Sequence, residues 1–85
     1  MNLDIQKPDI IYPCKWEYRI IGKNEEKLRA LVFEVMPREY EIQLGKHSAK
    51  GHFVSIYVSL EVQSEGERND IFARLQQSEE VKMVL

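Results

Sequence analysis

Three stretches of the chain alternate between apolar and polar residues, which is the period-two pattern of half-buried strands. They run from Lys15 to Ile21, from Tyr40 to Leu44 and from Phe53 to Val62. Alternate side chains point to the same face of a sheet, so each stretch has one face that we expect to be buried. The residues of these faces are Trp16, Tyr18 and Ile20 in the first stretch, Tyr40, Ile42 and Leu44 in the second, and Val54, Ile56, Val58, Leu60 and Val62 in the third.

A short fourth strand is predicted in the last five residues. Val81, Met83 and Leu85 alternate there with Lys82 and Val84. We therefore expect the first three to share one face of the strand, opposite to the other two.

A first helix is predicted from Glu25 to Met36. Asn24 can accept a hydrogen bond from a free amide of the first turn, and Pro37 disfavours helical geometry in the residue before it. The helix would bury one stripe, because its apolar residues follow the i, i+3, i+4, i+7 spacing. These residues are Leu28, Leu31, Val32 and Val35.

A second helix is predicted after Ser64. Ser64 and Glu67 have the spacing of a capping box, in which the hydroxyl and the carboxylate satisfy free amides at the helix start. Its apolar stripe comprises Ile71, Phe72 and Leu75.

The resulting order, βαββαβ, predicts an α+β domain of ferredoxin-like topology. Right-handed crossovers would give a four-stranded antiparallel sheet of order 4-1-3-2, with two helices on one face. We expect residues 12–85 to form this single domain. Residues 1–11 show no periodicity and contain Lys7-Pro8-Asp9, so they predict a loosely ordered N-terminal tail.

Length and charge narrow the function further. The chain has 85 residues and a formal net charge of −2, which gives no long-range field for attracting nucleic acid. Its single cysteine and the lack of a long apolar run or a leader pattern favour a cytoplasmic protein that does not bind a membrane.

Candidate catalytic groups are sparse. Cys14 has no histidine or second cysteine near it in sequence, and His47 with His52 lacks a clear third metal ligand. The sequence therefore predicts a protein that is not an enzyme and that uses no cofactor or metal.

The uncovered face of the sheet is the first candidate site. If the first and third strands are central, Arg19, Phe53 and Tyr57 lie on that face and could bind a protein partner. A solvated sheet surface, with the aromatic residues present for strand propensity, is the alternative.

The turn Gly22-Lys23-Asn24 is the second candidate site. A glycine-led turn into a helix presents free amides and the positive end of the helix dipole to a small anion. An ordinary turn explains the same residues. For effector binding we would expect a homodimer, because a domain of this size offers little enclosure.

RNA binding on the open face is the alternative function. Lys50-Gly51-His52-Phe53 resembles part of an RNA-recognition signature, but its stacking positions correspond here to His52 and Val54. Val54 belongs to the face that we expect to be buried, so the register as well as the charge argues against nucleic acid as a partner.

Four separated patches of the sequence are similar to the YbeD-like family of small bacterial proteins. They span most of residues 12–85, and they are Tyr12-Pro13-Cys14-x-Trp16-x-Tyr18-Arg19-Ile20-Ile21-Gly22, Gly51-x-Phe53-x-Ser55, Ser64-x-x-Glu67-Arg68 and Val81-x-x-Val84-Leu85.

The resemblance implies a ferredoxin-like domain similar to ACT regulatory domains, and it implies no activity. By analogy with those domains, a small effector would bind near Gly22, Lys23 and Asn24. The resemblance also implies a tie to lipoate metabolism. We therefore expect a non-enzymatic regulatory or adaptor domain that acts on a protein partner or a small effector.

Overall fold

The element order βαββαβ is confirmed by the computed structural model, which describes residues 10–45 and 53–85. The elements are β1 (Cys14–Gly22), α1 (Glu25–Val35), β2 (Tyr40–Leu44), β3 (Val54–Val62), α2 (Glu65–Gln76) and β4 (Val81–Val84). The strands form one antiparallel sheet of order β2-β3-β1-β4, which is the predicted order read from the other edge.

The two central strands pair along their whole length. In the β1–β3 ladder Cys14 lies opposite Val62 and Gly22 lies opposite Val54. β2 pairs with the other edge of β3, from Tyr40 opposite Leu60 onwards. The prediction that β1 and β3 are central is therefore confirmed.

The core lies between the sheet and the two helices. Tyr18 and Ile20 of β1 and the inward residues of β3 are buried as predicted. Trp16 is only half-buried, and Leu44 at the end of the edge strand β2 is exposed. Tyr12 also packs against this core. The buried core residues are Tyr18, Ile20, Leu28, Val32, Met36, Val54, Ile56, Val58, Leu60, Val62, Ile71, Leu75 and Val84.

The start of the domain lies at the edge of the described residues. Residues 1–9 of the predicted tail lie outside them, and Ile10 and Ile11 are exposed. The Tyr12–Pro13 peptide bond, whose isomer the sequence leaves open, is cis.

Helix α1 begins and ends for the reasons that the sequence predicts. The side chain of Asn24 accepts a hydrogen bond from the backbone N–H of Lys27. At the other end Met36 is extended, with φ −70° and ψ 130°, because a residue before proline avoids helical geometry. The last helical residue is therefore Val35, one residue earlier than predicted.

Helix α2 buries a narrower stripe than the sequence suggests. Ile71 and Leu75 are in the core, but Phe72 is 39% exposed and lies at the side of the helix. Two buried positions four residues apart fix the inward face, and Phe72, one position after Ile71, points about 100° away from it.

The predicted face assignment of β4 is wrong. Val84 is only 5% exposed and pairs with Ile20, whereas Met83 and Leu85 are exposed. The cause is a register shift opposite Ile21 and Gly22, which places one extra residue, Lys82, in β4. Such a bulge breaks the strict alternation, so Val81 and Val84 face the core three positions apart.

Candidate functional site

The side of the sheet opposite to the helices forms the first candidate site, which we call the open face. It consists of the outward residues of β1 and β3, and no described helix or strand covers it. Its members are Lys15, Glu17, Arg19, Ile21, Ser55, Tyr57, Ser59 and Glu61, with Phe53 directly before β3.

Arg19 and Tyr57 form a cross-strand pair at the centre of the open face. They lie directly opposite each other in the β1–β3 ladder. Arg19 Nη2 donates a hydrogen bond of 3.0 Å to Tyr57 Oη, and the guanidinium carbon lies 5.1 Å from the ring centroid. The hydrogen bond and the cation–π contact together hold both side chains in one arrangement.

Phe53 belongs to the same face but not to the same contact. It lies four residues before Tyr57, which is about 13 Å along an extended strand. The Nζ atom of Lys82, the extra residue of the β4 bulge, is 6.0 Å from the Phe53 ring centroid. Together with Lys82, the three predicted protein-binding residues therefore form two cation–aromatic pairs, Arg19–Tyr57 and Lys82–Phe53.

A shallow depression of about 640 Å³ lies beside the Arg19–Tyr57 pair. It is also lined by Leu44, Gly45 and Ser55. A Cβ atom on Gly45 would lie 2.9 Å from Tyr57 Cε2, so glycine allows the chain to pass close to the ring. Sequence reasoning missed Leu44 and Gly45. Leu44 was assigned to the buried face of its strand, and Gly45 lies after the predicted end of that strand.

The other end of the open face is acidic. Glu17 and Glu61 are exposed there, as is Glu41 on the neighbouring strand β2. Lys15 Nζ lies 3.2 Å from Glu41 Oε1. This ion pair is highly exposed, so it contributes little to stability. The open face is therefore cationic near Phe53 and Tyr57 and anionic at its far end.

The predicted effector turn is largely occupied with structural contacts. Gly22 is buried in the sheet, and a Cβ atom there would collide with the carbonyl oxygen of Glu80 and lie 2.8 Å from Leu28 Cδ2. Asn24 caps α1, which leaves Lys23 as the exposed, uncommitted side chain among the three. The first turn of α1 also carries Glu25 and Glu26, which already compensate the helix dipole.

A clasp that the sequence did not reveal joins the connection between α1 and β2 to the end of β3 and the start of α2. Arg38 donates two hydrogen bonds of 2.8 Å to the Glu67 carboxylate and one of 2.7 Å to the Glu61 carbonyl oxygen. Glu67 Oε1 also accepts from the backbone N–H of Gln63 at 2.8 Å. Arg38, and to a smaller extent the Gln63 amide, hold the pKa of Glu67 below its ordinary value.

The capping box at the start of α2 is thus modified. Ser64 accepts a hydrogen bond from the Glu67 backbone N–H, as predicted. The Glu67 carboxylate binds the amide of Gln63, one residue before the cap, rather than the amide of Ser64. The distant partner could not be inferred from spacing, because Arg38 lies 29 residues away in the sequence.

A second cleft lies on the helix side of the sheet, between β1 and α2. It measures about 320 Å³ and is lined by Trp16, Tyr18, Arg68, Asn69, Phe72 and Leu85. The guanidinium carbon of Arg68 lies 4.4 Å from the Trp16 ring centroid. Burial raises the pKa of Tyr18 to about 12, against the effect of Arg68, and its hydroxyl donates to the Arg68 carbonyl oxygen at 2.7 Å.

The structure does not bring together groups suited to metal binding within residues 10–45 and 53–85. No three His, Cys, Asp or Glu side chains of that part could share an ion. His47 and His52 lie outside that part. So do Lys46 and Lys50, the basic residues of the stretch between β2 and β3 that bear on the RNA-binding alternative. Among the described helices, none has the length and apolar character needed to span a membrane.

The RNA-recognition signature has two base-stacking positions in this sequence, and one of them lies within the described residues. Val54 is 8% exposed and faces the helices, so it cannot stack a base on the open face. The other position, His52, lies outside the described residues.

The fold and the open face define the class of protein: a small α+β domain of ferredoxin-like topology, with both described helices on the same side of its sheet. A family model described as "Protein of unknown function (DUF493)" matches residues 7–85. The chain belongs to this family. The similarity to UPF0250 proteins reported below confirms the predicted resemblance to the YbeD-like proteins.

Relatives match over nearly their whole length. The chain is 40% identical over 86 residues to an uncharacterized protein of Helicobacter pylori (strain J99), with 100% of both chains covered. It is 29% identical over 90 residues to a UPF0250 protein of Vibrio parahaemolyticus, with 100% of this chain and 97% of the other covered.

A solved structure supports the fold independently. The solution structure of protein HP0495 from Helicobacter pylori is similar to this chain with a TM-score of 0.85 and 38% identity. The similarity covers 100% of this chain and 94% of that one.

Proposed function

We propose that this chain is a non-enzymatic regulatory or adaptor domain of the cytoplasm, which binds another protein through its open face. The observation that carries the proposal is the Arg19–Tyr57 pair, which is held by a hydrogen bond of 3.0 Å on an uncovered sheet surface. Tyrosine and arginine are enriched among the residues that dominate binding energy at interfaces.

Pre-organisation strengthens the argument. Tyr57 is half-buried by its neighbours, and Arg19 is fixed against it. A partner that covers this pair would therefore restrict the motion of these side chains only a little further. This lowers the entropic cost of association. The depression beside Leu44 and Gly45 offers space for one side chain of that partner.

The charge distribution of the open face predicts how charges are arranged on the binding surface of the partner. Lys82 lies near Phe53 at one end, whereas Glu17 and Glu61 lie at the other. A partner with the opposite arrangement of charges would be oriented by long-range attraction before contact. The family resemblance suggests proteins of lipoate attachment as the first candidates.

Effector sensing at Gly22, Lys23 and Asn24 is the second form of regulation that we propose. Lys23 is exposed and could bind an anionic group. The roles of Gly22 in packing and of Asn24 in capping explain those two residues without a ligand, so we place this site after the open face. A Lys23→Gln variant would test it without disturbing either contact.

The open face can be tested by site-specific photocrosslinking in cells. A photoreactive residue at Ser59 reports on the open face, and one at Glu34 reports on α1 as a control. We expect one discrete protein to crosslink from position 59. The double variant Phe53→Ser, Tyr57→Ser should reduce the yield at least about tenfold, since interface aromatics often carry most of the affinity.

The control variant is Phe33→Ser, which removes an equally large aromatic side chain from the exposed side of α1. It should leave the yield unchanged. Crosslinking from Glu34 instead of Ser59, or a yield insensitive to the double variant, would contradict the proposal. Crosslinks to RNA that weaken steeply with salt would favour the RNA-binding alternative.

A further inference from the structure

β4 covers only part of the β1 edge. Backbone hydrogen bonds of 3.1 and 2.8 Å join Arg19 to Leu85, and they are the last ones between β1 and the β4 side. Alternate residues of a strand direct their backbone groups to the same neighbour, so the next groups on this side belong to Glu17 and Lys15. In the described part of the chain no residue pairs with them there.

The Trp16–Leu85 cleft described above lies next to this unpaired edge. Val84 fills the core opposite Ile20, and Tyr18 is the next inward residue of β1. No β4 residue lies opposite Tyr18. The cleft of about 320 Å³ is therefore the place that an inward side chain of an added strand would occupy.

The walls of the cleft define what such a side chain should be. Phe72 lines the cleft and is 39% exposed, so apolar surface is available there. Leu85 also lines the cleft, but it pairs with Arg19, so its side chain belongs to the open face. Trp16 and Tyr18 form its floor. An apolar side chain there would gain contacts with Trp16, Tyr18 and Phe72.

Arg68 adds a charge preference. Its side chain is only 18% exposed and lies over the Trp16 ring. Its one ionic contact within residues 10–45 and 53–85, with Glu65, is long at 3.9 Å. A guanidinium group in this position can bind a carboxylate with two parallel hydrogen bonds. The stacking on Trp16 would orient it for that purpose.

We propose that the β1 edge binds an extended segment of a partner protein, which adds as a strand antiparallel to β1. The segment inserts an apolar side chain opposite Tyr18 and presents an acidic side chain, two positions later, to Arg68 opposite Trp16. Strand addition supplies affinity through backbone hydrogen bonds and specificity through alternate side chains. This site uses the backbone of the β1 edge and the cleft on the helix side, whereas the open-face proposal uses the side chains of Arg19 and Tyr57, so either can fail without the other.

The test is an NMR titration of the labelled full chain with a short capped peptide. The peptide has leucine and glutamate two positions apart, and all of its remaining residues are threonine. We expect the amide signals of Lys15, Glu17 and Arg19 to shift, with cross-strand contacts to the peptide backbone. The same peptide with lysine in place of glutamate should bind at least about tenfold more weakly, since a charge-assisted pair is lost.

Variants of the protein separate the two parts of the site. Phe72→Ser should weaken the leucine contact and Arg68→Gln the glutamate contact, each by about tenfold or more. Arg74→Gln is the matched control, because Arg74 is also on α2 but pairs with Asp70 away from the cleft. It should bind the peptide as the unchanged protein does.

Several results would overturn the proposal. They are an unchanged spectrum at millimolar peptide, shifts confined to Tyr57 and its neighbours, or equal binding of the glutamate and lysine peptides. Contacts between Trp16 and residues 1–9 in the free protein would identify the chain's own N-terminal segment as the occupant. Concentration-dependent dimerisation that Phe72→Ser abolishes would identify a second copy instead.

Discussion

Neighbouring residues of β1 and β3 lie on two faces of one sheet that are stabilised in different ways. On the helix side Ile20, Ile56 and Val58 are completely buried, and close packing of apolar side chains holds them. On the open face Arg19 and Tyr57 are held by one hydrogen bond and one cation–π contact at the protein surface. The comparison separates positions that determine folding from positions available for binding.

The largest difference in unfolding free energy is expected between a truncation on the buried face of β3 and a truncation on its open face. Ile56→Ala removes a fully buried side chain and should lower the free energy of unfolding by about 2 to 5 kcal/mol. Ser59→Ala on the open face should change it by less than about 0.5 kcal/mol. Urea unfolding of both variants measures the difference, and equal losses would mean that the open face also supports the fold.

A smaller loss is expected where β1 leaves the core. The added methyl group of Gly22→Ala would meet the Glu80 carbonyl oxygen and Leu28, so we expect a loss of about 1 to 3 kcal/mol from overpacking. Gly66→Ala is the control, because a Cβ atom there would meet only Ser64 Oγ at 3.8 Å. It should be neutral or stabilise α2 by up to about 1 kcal/mol.

If Gly22→Ala were as stable as the unchanged protein, the close approach would not explain this glycine. A role in ligand binding would then become the better explanation. Thermal unfolding measured with and without candidate effectors separates the two explanations.

The Arg38–Glu67 clasp should appear in the pH dependence of stability. Hydrogen bonds from Arg38 and the Gln63 amide lower the native pKa of Glu67 from its ordinary value of 4.5. The clasp therefore contributes fully above that pH, and the contribution is lost as the pH falls through the native pKa. Unfolding free energies from pH 7 down to pH 2 should fall less steeply in Glu67→Gln than in the unchanged protein.

Glu34→Gln provides the matched control for this titration, since Glu34 is exposed on α1. Its pH profile should follow that of the unchanged protein. A Glu67→Gln profile as steep as the original would assign the acid sensitivity to other carboxylates.

The smallest effect on stability is expected for Tyr57→Phe on the open face. The change removes the oxygen that accepts from Arg19 but keeps the ring, so the free energy of unfolding should change by less than about 0.5 kcal/mol. Partner crosslinking from Ser59 should nevertheless fall, because Arg19 is no longer held in place. A large loss of stability would instead make the pair a structural element.

The order and faces of most elements could be predicted from local patterns. The alternation of β3 correctly gave its buried side, and Asn24 and Ser64 marked the helix starts. β4 could not be assigned in this way, because its bulge interrupts the alternation that the prediction relies on. Phe72 was misplaced because a short helical stripe is ambiguous by one position.

The candidate sites were predictable only in part. Arg19, Phe53 and Tyr57 were assigned to one face from parity, and the β1–β3 register confirms that placement for Arg19 and Tyr57. Phe53 lies directly before β3. Their contacts could not be foreseen. Lys82 lies near Phe53 because of the β4 bulge, and Gly45 lies near Tyr57 because its backbone N–H bonds to the carbonyl oxygen of Ser55 on β3. Whether these residues bind a partner stays a prediction.

The sequence by itself determined the βαββαβ order, the central strands and the family, because these follow from periodicity, capping residues and local motifs. The tertiary structure alone decided the β4 register, the Arg38–Glu67 clasp and the unpaired β1 edge beside Arg68. Each of these depends on residues that are distant in the chain and meet only when the sheet and helices pack. Local patterns carry no information about such contacts, whose geometry is set by the packed fold as a whole.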